Sequence, residues 1–441
     1  MVVGIVIGSG IFFKAQDVLS VTAGDALSGV LAWLIGGAIM VFLSCTFAVM
    51  ATRYERVNGV VDYAEATCGG TYAYLVGWFI SVIYYPSMTS VLAWASARYT
   101  VVFVFGVSSI SERALCGPEC VTLAAFYLVL SYLINALSPR LAGRLQVSTT
   151  AIKLGAIALV ALSGVIIGVL EGSFGEVLTA SIQTNKVSNS GGMFAAICCT
   201  AFAYEGWIIA TSINSEIKNS KRNLPIALVL GSLITVAAYL LYYVGVLGLE
   251  PIEVLMEQGT SAAFLRFGRF GSAAVNFFVV VSCLGTLHGL MLGTTRGIYS
   301  IATRDEFPSP IFSSVDKHTD MPNNSAAMGL FLCVLWFLYF MGSVFFGWFG
   351  KFGFDSSELP IITIYPLYIP ILLNFMKKDK NTHPVKRYLL PILSILGSAV
   401  MVAASIFRHG KSTVWYLVVF FLIMWVGVLI RERKSSAKTE K

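Results

Sequence analysis

Long stretches without a charged residue recur along the whole chain. A bilayer core about 30 Å thick requires roughly 20 apolar residues per helical span, and these stretches have that order of length. With 57% hydrophobic and 12% charged residues among 441, the chain carries more apolar surface than one water-soluble core needs. The stretches run over residues 27–52, 71–97, 120–139, 154–170, 223–249, 270–295, 321–350, 359–376, 388–407 and 412–430. Transmembrane β-barrels show alternating segments of about ten residues instead, so these longer runs indicate a bundle of membrane-spanning helices.

Two further apolar segments, the opening of the chain and residues 191–215, raise the expected number of spans to twelve. The loops predicted on one face, at 53–65, 139–145, 217–223, 303–322 and 377–387, hold 19 of the 30 lysines and arginines together with the end from Arg431. This bias predicts that these loops and both termini are cytoplasmic, in a multi-pass protein of the cell membrane. The net charge of +7 therefore reflects topology and contact with the lipid bilayer, and we expect no nucleic-acid partner.

The opening segment is interrupted by glycines after seven residues. Seven helical residues cover only about 10 Å, which is too short to reach the cytoplasmic surface from a break at the midplane. We therefore expect the natural chain to carry about ten or more further residues before Met1. A cleaved signal peptide fits poorly, because the segment lacks a basic start and a small-residue cleavage site.

The glycines at the opening predict a broken first span. In hydrocarbon a broken backbone is tolerated only where it lines a cavity or is buried in protein, so Gly8-Ser9-Gly10 indicates unwinding around a polar site. Five spans later, Glu205-Gly206 lies near the centre of another span. Paired interruptions in corresponding helices of two halves indicate a transporter site at the midplane. Close helix packing at the glycines is the structural alternative.

A site between two broken helices has groups that can bind both charges of a zwitterion. The half-helix that starts after Gly10 offers free backbone N–H groups and a positive dipole end to a carboxylate. The carbonyl ends of the broken segments can accept hydrogen bonds from an ammonium group.

Several stretches resemble the amino acid, polyamine and organocation (APC) superfamily of permeases, and in particular its L-type amino acid transporter branch. The matching stretches are Gly4–Phe12 (GIVIGSGIF), Phe202–Trp207 (FAYEGW), Asn214–Ile226 (NSEIKNSKRNLPI), Asn58–Ala64 (NGVVDYA), Thr150–Gly155 (TAIKLG) and Ser282–Thr286 (SCLGT). The resemblance covers the chain to about residue 310 and is weaker beyond it.

The resemblance implies an all-α, LeuT-like arrangement of two inverted repeats of five helices, at 1–170 and 191–376. Two additional helices at 386–431 and a basic cytoplasmic tail at 432–441 would follow, with helices 1 and 6 of the twelve broken. It further implies transport of a small amino acid by alternating access. Carried over by position, the substrate-binding residues are Ile7, Gly8, Ser9, Gly10, Ile11, Phe202, Ala203, Tyr204 and Glu205, with Phe202 as a gate on the outward side.

Glu205 departs from the commonest pattern of the L-type branch, where relatives for large neutral substrates often have a small residue. Relatives that accept dibasic amino acids can carry an acidic residue there. Independently of the family, an ionisable residue near the midplane marks a substrate or ion path by default. A desolvated carboxylate would need a proton or a cation. That cation is either the substrate or Lys153 in a structural ion pair.

If the fifth helix enters the membrane from the cytoplasm near Leu145, Lys153 lies about eight residues, or 12 Å, deep. The resemblance implies an ammonium that replaces the sodium ion of sodium-coupled cousins, with Ser282 and Thr286 as neighbours, and it favours exchange or proton coupling. Snorkelling of the lysine to the cytoplasmic surface is the alternative.

Other chemistry is poorly supported by the sequence. Buried His288 is expected to hydrogen-bond a neighbouring helix, and the intramembrane cysteines are expected to be packing residues. Cys116 and Cys120 bracket a short loop and could form a local disulfide. The same loop in animal heteromeric relatives carries a cysteine that joins a single-span glycoprotein, but nothing else in this chain requires a protein partner, so we expect no obligatory one.

No Cys/His cluster has the spacing of a metal site, and neither GxGxxG nor GxxxxGK[ST] occurs. We therefore expect no cofactor, no ATP-driven step and no enzymatic activity. A channel of the same fold and a permease for polyamines or other organocations remain as alternatives to an amino acid transporter.

Overall fold

The computed structural model describes residues 2–8, 10–54, 59–106, 116–185, 190–212, 217–304, 310–319 and 321–439. These residues form helices joined by turns, and no strand occurs among them. Within the described ranges, eleven helical segments are long and apolar enough to cross a membrane. The opening segment forms the twelfth expected span as two short helices.

Nine α-helices occur among the described residues up to Asn185. They are α1 (Val2–Val6), α2 (Gly10–Val21), α3 (Ala26–Arg53), α4 (Val60–Cys68), α5 (Gly70–Phe79), α6 (Tyr85–Phe105), α7 (Pro118–Leu137), α8 (Pro139–Glu171) and α9 (Ser173–Asn185). A π-helical turn, Ile80–Tyr84, joins α5 to α6. Asp25 begins α3, because its Oδ1 accepts hydrogen bonds from the backbone N–H groups of Leu27 and Ser28, both at 3.1 Å.

The remaining helices follow the same pattern of long apolar spans and short connections. They are α10 (Ser190–Tyr204), α11 (Ile209–Ser212), α12 (Ser220–Leu249), α13 (Ile252–Gln258), α14 (Gly268–Ala302), α15 (Asn323–Phe340), α16 (Leu359–Ile362), α17 (Ile364–Lys378), α18 (Leu390–His409) and α19 (Lys411–Thr439). Short 3₁₀ or π turns lie at Ala262–Phe267, Pro310–Ser313, Met341–Phe345, Gly350–Phe352 and Val385–Leu389.

Both predicted helix breaks are present. The first span is interrupted between Val6 and Gly10, and the sixth is interrupted between Tyr204 and Ile209. Helix α12 packs on α3 and α8, α14 packs on α6 and α8, and α10 packs on α2 and α3. The broken spans therefore lie inside a wall of long helices, where the freed backbone groups find protein partners.

The proline-rich tenth span is also interrupted. Helix α16 ends at Ile362 and α17 starts at Ile364. Pro366 has no N–H to donate to the carbonyl of Ile362, four residues earlier, and its ring clashes with that carbonyl, which accounts for the break at Thr363.

The outer surface of the bundle is apolar, as a lipid-facing surface requires. Leu170, Phe126 and Phe421 are 79%, 56% and 64% exposed. Helix α19 continues to Thr439, so residues 432–439 of the expected basic tail are helical.

Candidate functional site

The two breaks meet face to face at close range. A Cβ atom placed on Gly10, the first residue of α2, would lie 2.6 Å from the Cα atom of Ala203 in α10. Gly206 has a φ of 98°, a conformation in which other residues are strained. The glycines therefore permit both the unwinding and the close packing that the sequence offered as alternatives.

Gly8 serves the same purpose against α14. A Cβ atom on Gly8 would lie 2.5 Å from the Oγ1 atom of Thr286. The Thr286 hydroxyl donates to the carbonyl oxygen of Ile7 at 3.1 Å. The first break is thus fixed to α14 by a direct hydrogen bond.

A small buried cavity lies between the two breaks. Its volume is about 10 Å³, far below the ~300–1,000 Å³ of typical small-molecule sites. Five predicted residues line it: Gly8, Gly10, Phe202, Glu205 and Thr286. Met88 and Leu92 of α6 and Leu290 of α14 complete much of the apolar wall. In this conformation the cavity is too small to hold an amino acid.

The backbone carbonyls at the ends of the half-helices already have partners. The Tyr239 hydroxyl of α12 lies 2.7 Å from the carbonyl oxygen of Val6 and 3.1 Å from that of Ala203. At the start of α2, the first backbone N–H groups have no partner within the helix, as at any helix N-terminus. The cavity therefore has donors from α2 on one side and shared acceptors on the other.

Glu205 lies in the second break, and it is 2% exposed. Its Oε2 atom accepts a hydrogen bond from the Tyr84 hydroxyl at 2.6 Å and lies 3.4 Å from the backbone nitrogen of Gly206. The Tyr365 hydroxyl of α17 approaches the same carboxylate. The Oε1 atom has no hydrogen-bond partner among the described residues.

Lys153 is fully buried and bonds to the first break. Its Nζ atom donates to the carbonyl oxygen of Gly4 at 2.5 Å and to the Thr286 hydroxyl at 2.8 Å. Snorkelling to the surface is therefore wrong, since the side chain is 0% exposed. An ion pair with Glu205 is also wrong, because the structure forms no such pair between these two described residues.

The other predicted site residues take varied positions. Ile7, Ile11 and Ala203 are buried around the breaks, whereas the Tyr204 side chain turns away and donates to the carbonyl of Trp33 at 2.9 Å. Ser9 lies outside the described residues, as do Asn58 and residues 214–216 of the matching stretches. Ser282 is buried, but its hydroxyl has no hydrogen-bond partner in the described part of the chain, so it does not join Lys153 as expected.

Phe202, the expected gate, lies between the cavity and a layer of charged groups. Its ring makes an edge contact with Phe13 at a centroid distance of 5.2 Å. The Lys14 ammonium lies 5.1 Å from the Phe13 ring and 5.9 Å from the Phe202 ring.

Beyond Phe202, a buried ion cluster joins four helical segments. Glu358, immediately before α16, is 0% exposed and pairs with Lys14 of α2 at 2.5 Å and Arg408 of α18 at 2.6 Å. His409 Nε2 lies 3.0 Å from the Glu358 Oε2 atom, and the Cys198 thiol of α10 lies 3.5 Å from it. Lys14 also pairs with Asp17 at 3.1 Å. We refer to these six residues as the Glu358 cluster.

The Glu358 cluster also bears on the expectation that no metal site exists. Folding brings Cys198, Glu358 and His409 together, with 3.8 Å between the cysteine sulfur and the histidine nitrogen. The carboxylate is nevertheless already paired with two cations, which oppose a third positive charge. We therefore interpret the group as an ion-pair cluster.

All eight cysteines are free, including Cys116 and Cys120.

A second charged group closes the opposite end of the bundle. Arg304, just after α14, forms salt bridges with Asp62 and Glu65 of α4.

His288, in the middle of α14, bonds through Nδ1 to the Ser131 hydroxyl of α7 at 2.9 Å, which confirms its predicted contact with a neighbouring helix.

Sequence reasoning missed Tyr84, Tyr239, Tyr365 and Glu358. In the sequence the three tyrosines are indistinguishable from other residues of apolar spans, and Glu358 falls in a segment that the sequence predicts to be a loop. A signal existed in Pro86, which disrupts a span near Tyr84, and in Lys14, a charged residue four positions after Gly10 in an apolar context.

Several known proteins are similar to this chain over most of its length. The serine/threonine exchanger SteT of Bacillus subtilis is 28% identical over 449 aligned positions, which cover 99% of this chain and 96% of SteT. The human b(0,+)-type amino acid transporter 1 is 26% identical, with 96% of this chain and 84% of that protein covered. The crystal structure of MhsT in complex with L-phenylalanine superposes with a TM-score of 0.65 at 12% identity, and covers 92% of this chain and 97% of MhsT.

MhsT has the LeuT fold, so the predicted fold class is confirmed. The relatives are amino acid transporters, which favours amino acids over polyamines as the substrate class. The amino acid permease profile matches residues 1–428. The chain therefore belongs to the amino acid permease family and is a multi-pass membrane transporter of amino acids.

Proposed function

We propose that the protein moves amino acids by alternating access through the cavity between its two helix breaks, and that it accepts substrates with a cationic side chain. The observation that carries the proposal is Glu205, a buried carboxylate in the second break with one oxygen unbonded. An uncompensated carboxylate oxygen at this depth is costly, and a cationic substrate would supply the missing partner.

The substrate's main chain would bind along the breaks. The backbone N–H groups at Gly10 and Ile11 are suited to a carboxylate, because the N-terminus of α2 carries a positive partial charge. Carbonyl groups at Ile7 and in the Phe202–Tyr204 segment are suited to the ammonium group. In the contracted state some of these carbonyls bond to Thr286 and Tyr239, so substrate binding would exchange those bonds for new ones. Ser9 belongs to the same predicted set.

Lys153 and Thr286 would form the coupling element, whereas Ser282, predicted with them, has no hydrogen-bond partner among the described residues and would lie outside it. The Lys153 amine, which bonds to the first break, would take the place of a bound cation, and this supports exchange or proton coupling over sodium symport. The two inverted repeats would be residues 1–170 and 191–376. No protein partner is required by this proposal.

The cytoplasmic side would be the end that carries Arg304, in keeping with the lysine and arginine bias of the loops. The Glu358 cluster would then face outward, and Phe202 would be the outer gate between that cluster and the cavity. Both termini would be cytoplasmic.

Uptake into proteoliposomes tests the proposal. Radiolabelled arginine and lysine are compared with leucine, alanine, serine and threonine, with and without an imposed proton gradient and with and without amino acid inside the vesicles. We expect saturable uptake of the cationic substrates that is stimulated by internal amino acid. Arginine amide should compete poorly, because it lacks the carboxylate that α2 would bind.

The variant Glu205→Gln examines the side-chain contact, and Glu257→Gln, at an exposed position of α13, is the matched control. We expect Glu205→Gln to shift preference toward neutral substrates and the control to behave like the native protein. Uptake of neutral amino acids alone, unaffected by Glu205→Gln, would assign this carboxylate to coupling or to structure. Unsaturable flux without counterflow would indicate a channel.

A further inference from the structure

The π-helical turn between α5 and α6 places Tyr84 against the binding site. The turn spans Ile80–Tyr84, and the Tyr85 N–H bonds to the carbonyl of Ile80, five residues earlier. Such turns insert one extra residue into a helix and occur frequently at functional sites. Tyr84, at the end of the turn, is 0% exposed.

The irregular turn is supported from outside its own helix. Pro86 has no N–H group, so it cannot bond to the carbonyl of Val82, four residues earlier. The Trp336 indole of α15 donates to that carbonyl at 2.9 Å instead. The orientation of Tyr84 is therefore fixed by packing and by a compensated backbone.

The hydrogen bond from Tyr84 makes the two oxygen atoms of the Glu205 carboxylate different from each other. The Oε2 atom accepts from Tyr84 at 2.6 Å and has the Gly206 N–H at 3.4 Å, so both of its lone-pair directions have a donor. The Oε1 atom has no hydrogen-bond partner among the described residues. The Tyr365 hydroxyl also approaches this carboxylate but makes no hydrogen bond to Oε1, so a substrate finds a single open acceptor atom, although a carboxylate offers two.

A single acceptor discriminates between the two kinds of cationic side chain. Guanidinium groups bind carboxylates best in a bidentate manner, with two parallel N–H···O bonds that require both oxygens. A primary ammonium is a compact point charge and is satisfied by one oxygen with other acceptors around it.

We propose that Tyr84 is a positioning residue that makes the site selective for amino acids with a primary ammonium side chain, such as lysine and ornithine, over arginine. The inference rests on the proposed function of Glu205 as the carboxylate that contacts the substrate side chain. Tyr84 acts through Glu205 by occupying Oε2 and leaving Oε1 for the substrate.

Initial rates in proteoliposomes test this selectivity. We would determine kcat/KM for lysine, ornithine, arginine and leucine with the native protein and with Tyr84→Phe, Glu205→Gln and Tyr85→Phe. Tyr85→Phe is the matched control, since it removes a buried hydroxyl from the adjacent residue that forms no hydrogen bond with Glu205 in the described structure. We expect the native protein to favour lysine and ornithine over arginine at least fivefold.

In Tyr84→Phe the released Oε2 atom becomes available to a guanidinium. The ratio of kcat/KM for lysine to that for arginine should fall at least fivefold, mainly through KM, while leucine transport stays within twofold. Tyr85→Phe should leave the ratio unchanged. The leucine rate shows that each variant is folded, and the native ratio of lysine to arginine provides a test that needs no variant.

An equal loss for all four substrates in Tyr84→Phe would overturn the inference and assign Tyr84 to folding alone. A preference of the native protein for arginine over lysine would also overturn it. If Glu205→Gln abolishes cationic transport but Tyr84→Phe leaves the ratio unchanged, this inference fails and the proposed function stands. If no cationic substrate is transported, both fail.

Discussion

At the scale of single residues, the predicted coupling residues differ in their hydrogen bonds: Thr286 has two partners, whereas Ser282 has none among the described residues. Thr286 accepts from Lys153 and donates to Ile7, so Thr286→Val leaves a buried ammonium and a buried carbonyl each short of a partner. An unsatisfied buried group costs about 1–3 kcal/mol. We expect Thr286→Val to lower kcat/KM for uptake by about tenfold or more, which is 1.4 kcal/mol.

Ser282→Ala is the matched control for that variant. Its hydroxyl is buried on the same helix and has no hydrogen-bond partner among the described residues, so uptake should remain within about twofold of the native rate. A large loss in Ser282→Ala with little change in Thr286→Val would reverse the assignment and return Ser282 to the coupling element.

At the scale of helices, function depends on how closely the two broken spans approach. A Cβ atom on Gly10 would lie 2.6 Å from the Ala203 Cα atom, a contact that cannot form without moving α2 away from α10. We expect Gly10→Ala to abolish transport and to lower the melting temperature of the purified protein. In α8, a Cβ atom on Gly155 would meet nothing within 4 Å, so Gly155→Ala should leave both measurements near the native values.

Comparing Gly10→Ala with Gly155→Ala separates the effect of the contact between α2 and α10 from the effect of helix propensity. Helix propensity favours alanine over glycine by ~1 kcal/mol in a helix interior such as position 155, and Gly10 is the first residue of α2, so propensity alone predicts no loss of stability in either variant. Retained transport in Gly10→Ala would show that α2 and α10 can separate without loss of the site.

The breaks and the wall of long helices were predictable from local sequence, but the polar contacts between helices were not. Glycines at 8 and 10 and the Glu205-Gly206 pair interrupt apolar runs, and such interruptions have few physical explanations in a membrane. Tyr84 and Glu205 lie 121 positions apart and Lys14 and Glu358 lie 344 apart. Nothing in local periodicity reports which residues on different helices meet, because helix rotation and tilt decide it.

At the scale of the whole molecule, charged groups close both ends of the bundle. The Glu358 cluster joins α2 and α10 to α16 and α18, and Arg304 joins α14 to α4. Removing one partner of a buried ion pair is destabilising, by about 3–5 kcal/mol in documented cases. We expect Lys14→Gln to increase hydrogen–deuterium exchange in α16 and the start of α2, with little change in α4.

Arg304→Gln is the counterpart at the other end. Exchange should rise in α4 and near the end of α14, while α16 stays protected. Uniform acceleration of exchange in either variant would mean that the clusters stabilise the fold as a whole and do not act separately at the two ends.

The hydroxyl of Tyr239 has a consequence for the order of events during transport. It lies within hydrogen-bonding distance of carbonyls from both broken spans, yet a hydroxyl has one proton to donate. The two carbonyls therefore compete for one donor, and strengthening one bond weakens the other. A rotation of the hydroxyl proton about the C–O bond would transfer the hydrogen bond from one broken span to the other and leave one carbonyl open to a substrate, without unwinding any further backbone.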